Sequence, residues 1–228
     1  MITAVTTCMG RREHLETTLP LMLEAFDRVV VVDWSCPQGS GEYAADMGAS
    51  VAYQHGEKYF DRCRARNYGA RLVTSDYVAF VDADTLCMPG LRRELTSSVR
   101  SDRMVLASRT ASDCDIPNLF GFLACPIGAF WGVGGYDESF LGWGHEDSHL
   151  RGKLSLEARL SPVRLSPMAI GAIAHGNELR GSNQERSIHE TSPVNFKKLV
   201  DYFRSQGIDD WMKDPRTDAI TYKPLPIG

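Results

Sequence analysis

Two carboxylates one residue apart close an apolar run at Tyr77-Val78-Ala79-Phe80-Val81-Asp82-Ala83-Asp84-Thr85. In extended chain, residues i and i+2 face the same side, so Asp82 and Asp84 can converge on one spot. Hard oxygen ligands of this kind suit a divalent cation such as Mg²⁺ or Mn²⁺. The plainer alternative is that the pair shapes a turn and caps the element that follows. A second acid pair, Glu146-Asp147, follows the turn Gly142-Trp143-Gly144-His145. Trp143 offers a broad apolar face on which a sugar ring can lie, with an indole N–H for its hydroxyls. Gly142 and Gly144 permit close approach and unusual backbone angles. A carboxylate at Glu146 or Asp147 can accept the proton of an attacking hydroxyl. Here the plainer alternative is a packed tryptophan and a helix start rich in acids, as the macrodipole prefers.

These residues need a scaffold, and the hydrophobic pattern supplies one. Residues 2–7, 29–33, 50–54 and 77–81 read as strands, the second and fourth as continuous apolar runs ending in an acid. Between them, Leu15, Leu19, Met22, Leu23 and Phe26 recur at helical spacing around Pro20, residues 42–47 form a short helix closed by Gly48, and residues 62–73 form a third helix. Strand and helix alternate, which predicts a parallel sheet with helical crossovers. The carboxyl ends of such strands are where ligands bind, and Asp82 and Asp84 sit at one of them. Further on, the pattern predicts a helix from Pro89 through Val99 and a strand over 103–108. A strand over 125–133 should run into Gly134-Gly135-Tyr136-Asp137. Residues 146–158 have helical character and 169–174 form a small apolar strand. The polar stretch 176–192 reads as a long loop and a candidate lid. Phe196, Leu199, Val200 and Phe203 mark a last helix ending before Gly207.

At 228 residues, 43% hydrophobic and 24% charged, the chain has the composition of a globular domain. Its net charge of -4 leaves no basic footprint for nucleic acid. Six scattered cysteines without a C-x-x-C pair favour a reducing compartment. No apolar run approaches the ~20 residues that span a bilayer, so no integral membrane segment and a cytoplasmic setting are expected. No G-x-G-x-x-G follows the first strand, which argues against a dinucleotide-dependent oxidoreductase.

Taken in order, Thr6-Thr7-Cys8-Met9-Gly10-Arg11, Asp33, Arg64-Ala65-Arg66-Asn67-Tyr68-Gly69 and Asp82-Ala83-Asp84 resemble the nucleotide-sugar-binding half of GT-A glycosyltransferases of the family 2 type. The stretch from Gly134 to Asp147, with its Gly-Trp-Gly-His-Glu-Asp run, resembles the C-terminal segment of galactosyltransferase-type enzymes. The resemblance implies a single GT-A domain: an α/β, Rossmann-like, mostly parallel sheet flanked by helices. The donor half would cover about 1–100, the acceptor and catalytic half about 101–192, and a C-terminal helix and tail 193–228. It further implies a UDP-sugar donor contacted by Thr6, Arg11, Asp33, Arg66, Asn67, Asp82 and Asp84. Trp143, Gly144 and Glu146 would contact the acceptor, and Asp147 would be the base. His175, after a small strand, matches a metal-binding histidine, so the metal set becomes Asp84 and His175 with Asp82 as a further ligand or ribose contact. An imidazole among carboxylates favours Mn²⁺ over Mg²⁺. His14, His55, His145, His149 and His189 are expected at the surface or in packing, and Arg180 and Arg186 are candidates to close over a diphosphate. His145 and Ser148 depart from some versions of the family pattern, so acceptor identity does not carry over.

The expected reaction is inverting transfer of a hexose or N-acetylhexosamine to a hydroxyl of a glycan or other acceptor. A retaining transferase of the polypeptide N-acetylgalactosaminyl type and a non-catalytic nucleotide-sugar or glycan-binding module are the alternatives.

Overall fold

The computed structural model describes residues 1–108, 119–176, 178, 182–214 and 217. Its organising strand is β2 (Arg28–Trp34), where Val29 and Val31 pack into one apolar core and Val30 and Val32 into another. A run of β-branched residues buried on both sides is what an interior strand of an α/β sheet requires. β1 (Ile2–Cys8), β3 (Ser50–Gln54) and β4 (Tyr77–Phe80) join it in parallel, linked by α1 (Arg12–Ala25), α2 (Ser40–Asp46) and α3 (Arg62–Ala70). Beyond β5 (Thr85–Cys87) and α4 (Leu91–Ser98) come β6 (Arg103–Leu106) and β7 (Leu123–Pro126). They are followed by α5 (Ile127–Gly132), α6 (Glu146–Leu156), β8 (Ser161–Arg164), β9 (Ile170–Ala172) and α7 (Ile188–Ser205).

The seven-stranded sheet has the order β3-β2-β1-β4-β7-β6-β8. β7 runs antiparallel to both neighbours, and β8 pairs in parallel with β6. The expected α/β, mostly parallel architecture is therefore present. Leu15, Leu19 and Met22 of α1 and Leu91 and Leu95 of α4 cover one face. Cys63 and Ala65 of α3, Phe130 of α5, Leu150 and Leu154 of α6, and Leu199 and Phe203 of α7 cover the other. Among the described residues no helix is long and apolar enough to cross a membrane.

Three local expectations need correction. The strand expected over 125–133 ends at Pro126, and Ile127–Gly132 is helical. Pro126 has no N–H for the ladder, and the last bond towards β4 is the Ile127 N–H to the Asp76 carbonyl at 3.0 Å, after which the chain turns helical. A short apolar run carries no periodicity that separates strand from helix. The polar loop over 176–192 is shorter than expected, because α7 begins at Ile188. Ser187 and Glu190 form a reciprocal capping box there, a Ser-x-x-Glu signature legible in the sequence. The strands β5 and β8 were not anticipated; β5 is three residues long and β8 opens with Ser161-Pro162.

Candidate active site

The carboxyl end of β4 delivers the first half of the site. Asp82, Ala83 and Asp84 form a turn closed by the Thr85 N–H to the Asp82 carbonyl at 2.9 Å. The Thr18 hydroxyl of α1 lies 2.8 Å from the Ala83 carbonyl and ties the turn to the helix. β5 and β9 then pair antiparallel, Thr85 opposite Ala172, and the Ile173 N–H donates to the Asp84 carbonyl at 2.8 Å. That ribbon carries His175 back to Asp84, and Nε2 lies 2.6 Å from Asp84 Oδ2. Asp84 Oδ1 is buried and has no hydrogen-bond partner. Burial, and then Asp82, push the Asp84 carboxyl above the usual carboxylate range. The His175 Nδ1 lies 3.1 Å from the Gly176 carbonyl, which can take a proton on Nδ1, so that Nε2, now against Asp84, would be the nitrogen to bind a cation in place of that contact. The His14 ring stacks on His175 at 5.5 Å.

The second half is assembled by Arg66. This guanidinium is buried in α3, with Nη2 2.8 Å from Asp82 Oδ1 and Nη1 3.0 Å from Asp147 Oδ1. Glu146 Oε1 lies 3.6 Å from the same Nη1. Burial works against the Arg66 charge, but Asp147, Asp82 and Glu146 hold it protonated. The Tyr136 hydroxyl donates to Asp147 Oδ1 at 3.2 Å, and its ring lies 5.0 Å beneath the guanidinium. Both hydrogen bonds fall on Oδ1, and the Asp147 side chain is 16% exposed. Burial raises the Asp147 carboxyl, Arg66 opposes the rise, Glu146 and Asp82 add to it, and it reaches about 6. Gly121 packs against this pair so closely that a Cβ would sit 2.2 Å from Asp82 Oδ2. Thus Asp84 meets His175, while Asp82, Glu146 and Asp147 all meet Arg66. Among the described residues no three His, Cys, Asp or Glu side chains converge as a ready metal cluster.

The remaining candidates are placed differently. Thr6 lies inside β1, fully buried, and its hydroxyl has no partner. Arg11, at the N-cap of α1, has Nη1 3.4 Å from His14 Nδ1. Asp33 accepts from the Cys36 and Gly41 N–H groups, both at 2.7 Å, and so holds the loop after β2. Asn67 commits its amide to the backbone of Tyr136 and to Glu138, all at 2.9 Å. It thereby positions the tyrosine that binds Asp147. Trp143 is half-buried in a turn where Gly142, Gly144 and His145 all have positive φ. Glu146 Oε2 accepts from the Gly144 N–H at 3.1 Å, and α7 braces the turn through Thr191 and Asn195. Arg180 lies outside the described residues, and Arg186 is exposed.

Sequence reasoning missed Tyr136, Thr18, Gly121 and Thr191. Of these only Tyr136 lies within the stretch Gly134 to Asp147, and its role depends on a contact with α6.

The model of glycosyl transferase family 2 matches residues 3–121. The chain belongs to that family. It is a glycosyltransferase, and the match covers Asp33, Arg66, Asp82 and Asp84, while Trp143, Asp147 and His175 lie beyond it. Solved structures share the fold of this transferase at low identity. S. aureus TarS 1-349 in complex with UDP-GlcNAc has 13% identity and a TM-score of 0.63, over 89% of this chain and 72% of that one. Glucosyl-3-phosphoglycerate synthase from Mycobacterium tuberculosis, with Mn²⁺, UDP-Glc and phosphoglyceric acid, has 14% identity and a TM-score of 0.62, over 92% and 81%. The mannosyltransferase PcManGT from Pyrobaculum calidifontis, with GDP-Man and Mn²⁺, has 15% identity and a TM-score of 0.60, over 96% and 73%. No curated protein matches the transferase chain.

Proposed function

We propose that this glycosyltransferase moves a hexose or N-acetylhexosamine from a UDP-sugar to an acceptor hydroxyl, with a divalent metal and with inversion at the anomeric carbon. One observation carries the reading: a single guanidinium, Arg66, binds both Asp82 of the donor turn and Asp147 of the acceptor half. That contact sets the proposed base beside the proposed donor site. Asp147 Oδ2 takes the acceptor proton, while Arg66 and Tyr136 hold Oδ1 and fix the carboxylate plane. The acceptor oxygen forms a bond to the anomeric carbon as the bond from that carbon to the diphosphate oxygen breaks, and the electron pair leaves with the diphosphate. A base near 6 is ionised at neutral pH yet still basic enough to accept a proton. Trp143 supplies the apolar face for the acceptor, and Glu146 orients it.

The residues present fit Mn²⁺. A buried carboxylate oxygen without a partner and an imidazole nitrogen whose ring partner is already satisfied are suitable donors, and Asp84 and His175 would hold the ion. When bound, the ion would neutralise charge developing on the leaving diphosphate. The structures of similar fold that contain UDP-GlcNAc, or UDP-Glc with Mn²⁺, support this donor class, and GDP-Man in another names the competing nucleotide. The test is Asp147→Asn. It should bind UDP with Mn²⁺ as the parent does and lose about 10²–10⁴-fold in sugar transfer. Near-normal transfer would remove Asp147 from the mechanism. NMR of the product's anomeric centre separates inversion from retention.

A further inference from the structure

Away from the carboxylates, the segments that end β1 and follow β2 bring two cysteines to one hydroxyl. Cys8 closes β1 in register with Asp33, and Cys36 follows three residues after Asp33. The Cys8 thiol donates to Ser40 Oγ at 3.1 Å, and Cys36 Sγ lies 2.9 Å from that same oxygen. The Gly10 N–H donates to Cys36 Sγ at 3.2 Å. Cys8 is fully buried at the base of this cluster, while Cys36 is half-buried and reaches solvent. Cys63, Cys87 and Cys125 are buried elsewhere.

The surroundings of Cys36 favour a thiolate. The Cys8 side chain, the Ser40 hydroxyl and the Gln38 and Gly10 N–H groups together outweigh burial and hold it down to about 4. Cys8 is pushed the other way by Cys36 and by burial, which keeps it a thiol that donates to Ser40. Neither cysteine has a part in sugar transfer as proposed above.

We propose that Cys36 is a peroxide-reactive modification site with Cys8 as its resolving thiol, the pair closing to a disulfide between the ends of β1 and β2. The Cys36 thiolate attacks one oxygen of hydrogen peroxide, the O–O bond breaks and hydroxide leaves, so sulfur is oxidised to the sulfenic acid and peroxide is reduced. The Cys8 sulfur then attacks Cys36 sulfur, the S–O bond breaks, and the oxygen departs as water with the Cys8 proton.

Alkylation of the full chain across pH, read by peptide mass spectrometry, tests the first step. A thiol with an ordinary pKa of about 8.5 slows about tenfold per unit below it, whereas Cys36 should hold its rate from about pH 8 to about pH 5.5. Flatness is the signature, because lowering a thiol's pKa also lowers its intrinsic nucleophilicity. Peroxide treatment should then give a Cys8–Cys36 linked peptide that dithiothreitol reverses. In Cys8→Ser the oxidation should stop at a sulfenic acid on Cys36 that dimedone captures. Tenfold-per-unit slowing of Cys36, or peroxide-treated wild-type protein without the linked peptide, overturns the proposal. Both deciding readouts use the unmutated chain, so a poorly folded variant cannot mask them.

Discussion

Asp147 is set apart from the other carboxylates by what surrounds it. Burial raises its pKa to about 6, and Arg66 on Oδ1 restrains the rise. The proposed base must be ionised to act, so kcat/KM should be level above about pH 7 and fall with unit slope below about pH 6. Tyr136→Phe removes a donor that favours the ionised form, so that acid limb should move up by about one unit. A pH–rate profile of both proteins measures this, and an unmoved limb would mean that the Tyr136 hydroxyl does not act on Asp147. His149, two residues on, is opposite in sign. Its ring lies stacked on Phe140 at 4.8 Å and edge-on to Tyr202 at 4.6 Å, and burial, then Lys153, push it down to about 4.

Elements decide which of these side chains can meet. His175 reaches Asp84 across 91 residues of chain only because β5 and β9 pair and set the end of one strand beside the exit of the other. His175→Ala should raise the Mn²⁺ concentration for half-maximal activity by more than about tenfold, since even loss of a residue that only hydrogen-bonds a metal ligand reaches that size. A Mn²⁺ titration of UDP release checks it, and the same assay should fall to background in EDTA. Unchanged Mn²⁺ dependence would take His175 out of the metal set. Gly121 enforces the other junction. In Gly121→Ala the new Cβ meets Asp82 Oδ2, so the carboxylate must shift, which disturbs its Oδ1 contact with Arg66. Transfer should drop by tenfold or more, about 1.4 kcal/mol in the barrier. A Gly121→Ala enzyme of parental kcat/KM would show that the Asp82–Arg66 contact is dispensable. α7 acts on the Gly142-Trp143-Gly144 turn from outside the family match, through Thr191 and Asn195.

At the scale of the whole molecule, Asp147 and His149 pull pH-dependent stability in opposite directions. His149 titrates near 4 folded and about 6.5 unfolded, so its contribution is full above pH 6.5 and lost as pH falls towards 4, about 3 kcal/mol in all. Asp147 titrates near 6 folded and about 3.9 unfolded, so its protonation favours the fold as pH falls through 6. The two offset each other over the same window. Urea unfolding at pH 7 and pH 4.5 should therefore show Asp147→Asn losing more stability on acidification than the parent. Equal losses would mean that the Asp147 pKa is not raised by the fold. The α/β class and the acids at the ends of β2 and β4 were legible in the sequence, because a continuous apolar strand ending in acids is a local pattern that burial and strand geometry dictate. The Gly-Trp-Gly turn and its acid pair were legible only through the resemblance of residues 134–147 to a known segment, because acids at a helix start are by themselves an ordinary local pattern. What only the tertiary structure decided were the meetings: Arg66 between Asp82 and Asp147, Tyr136 on Asp147, and Cys8 and Cys36 on Ser40. Each joins residues distant in sequence through pairing of strands or packing of helices, and no local periodicity records which ends the fold will bring together.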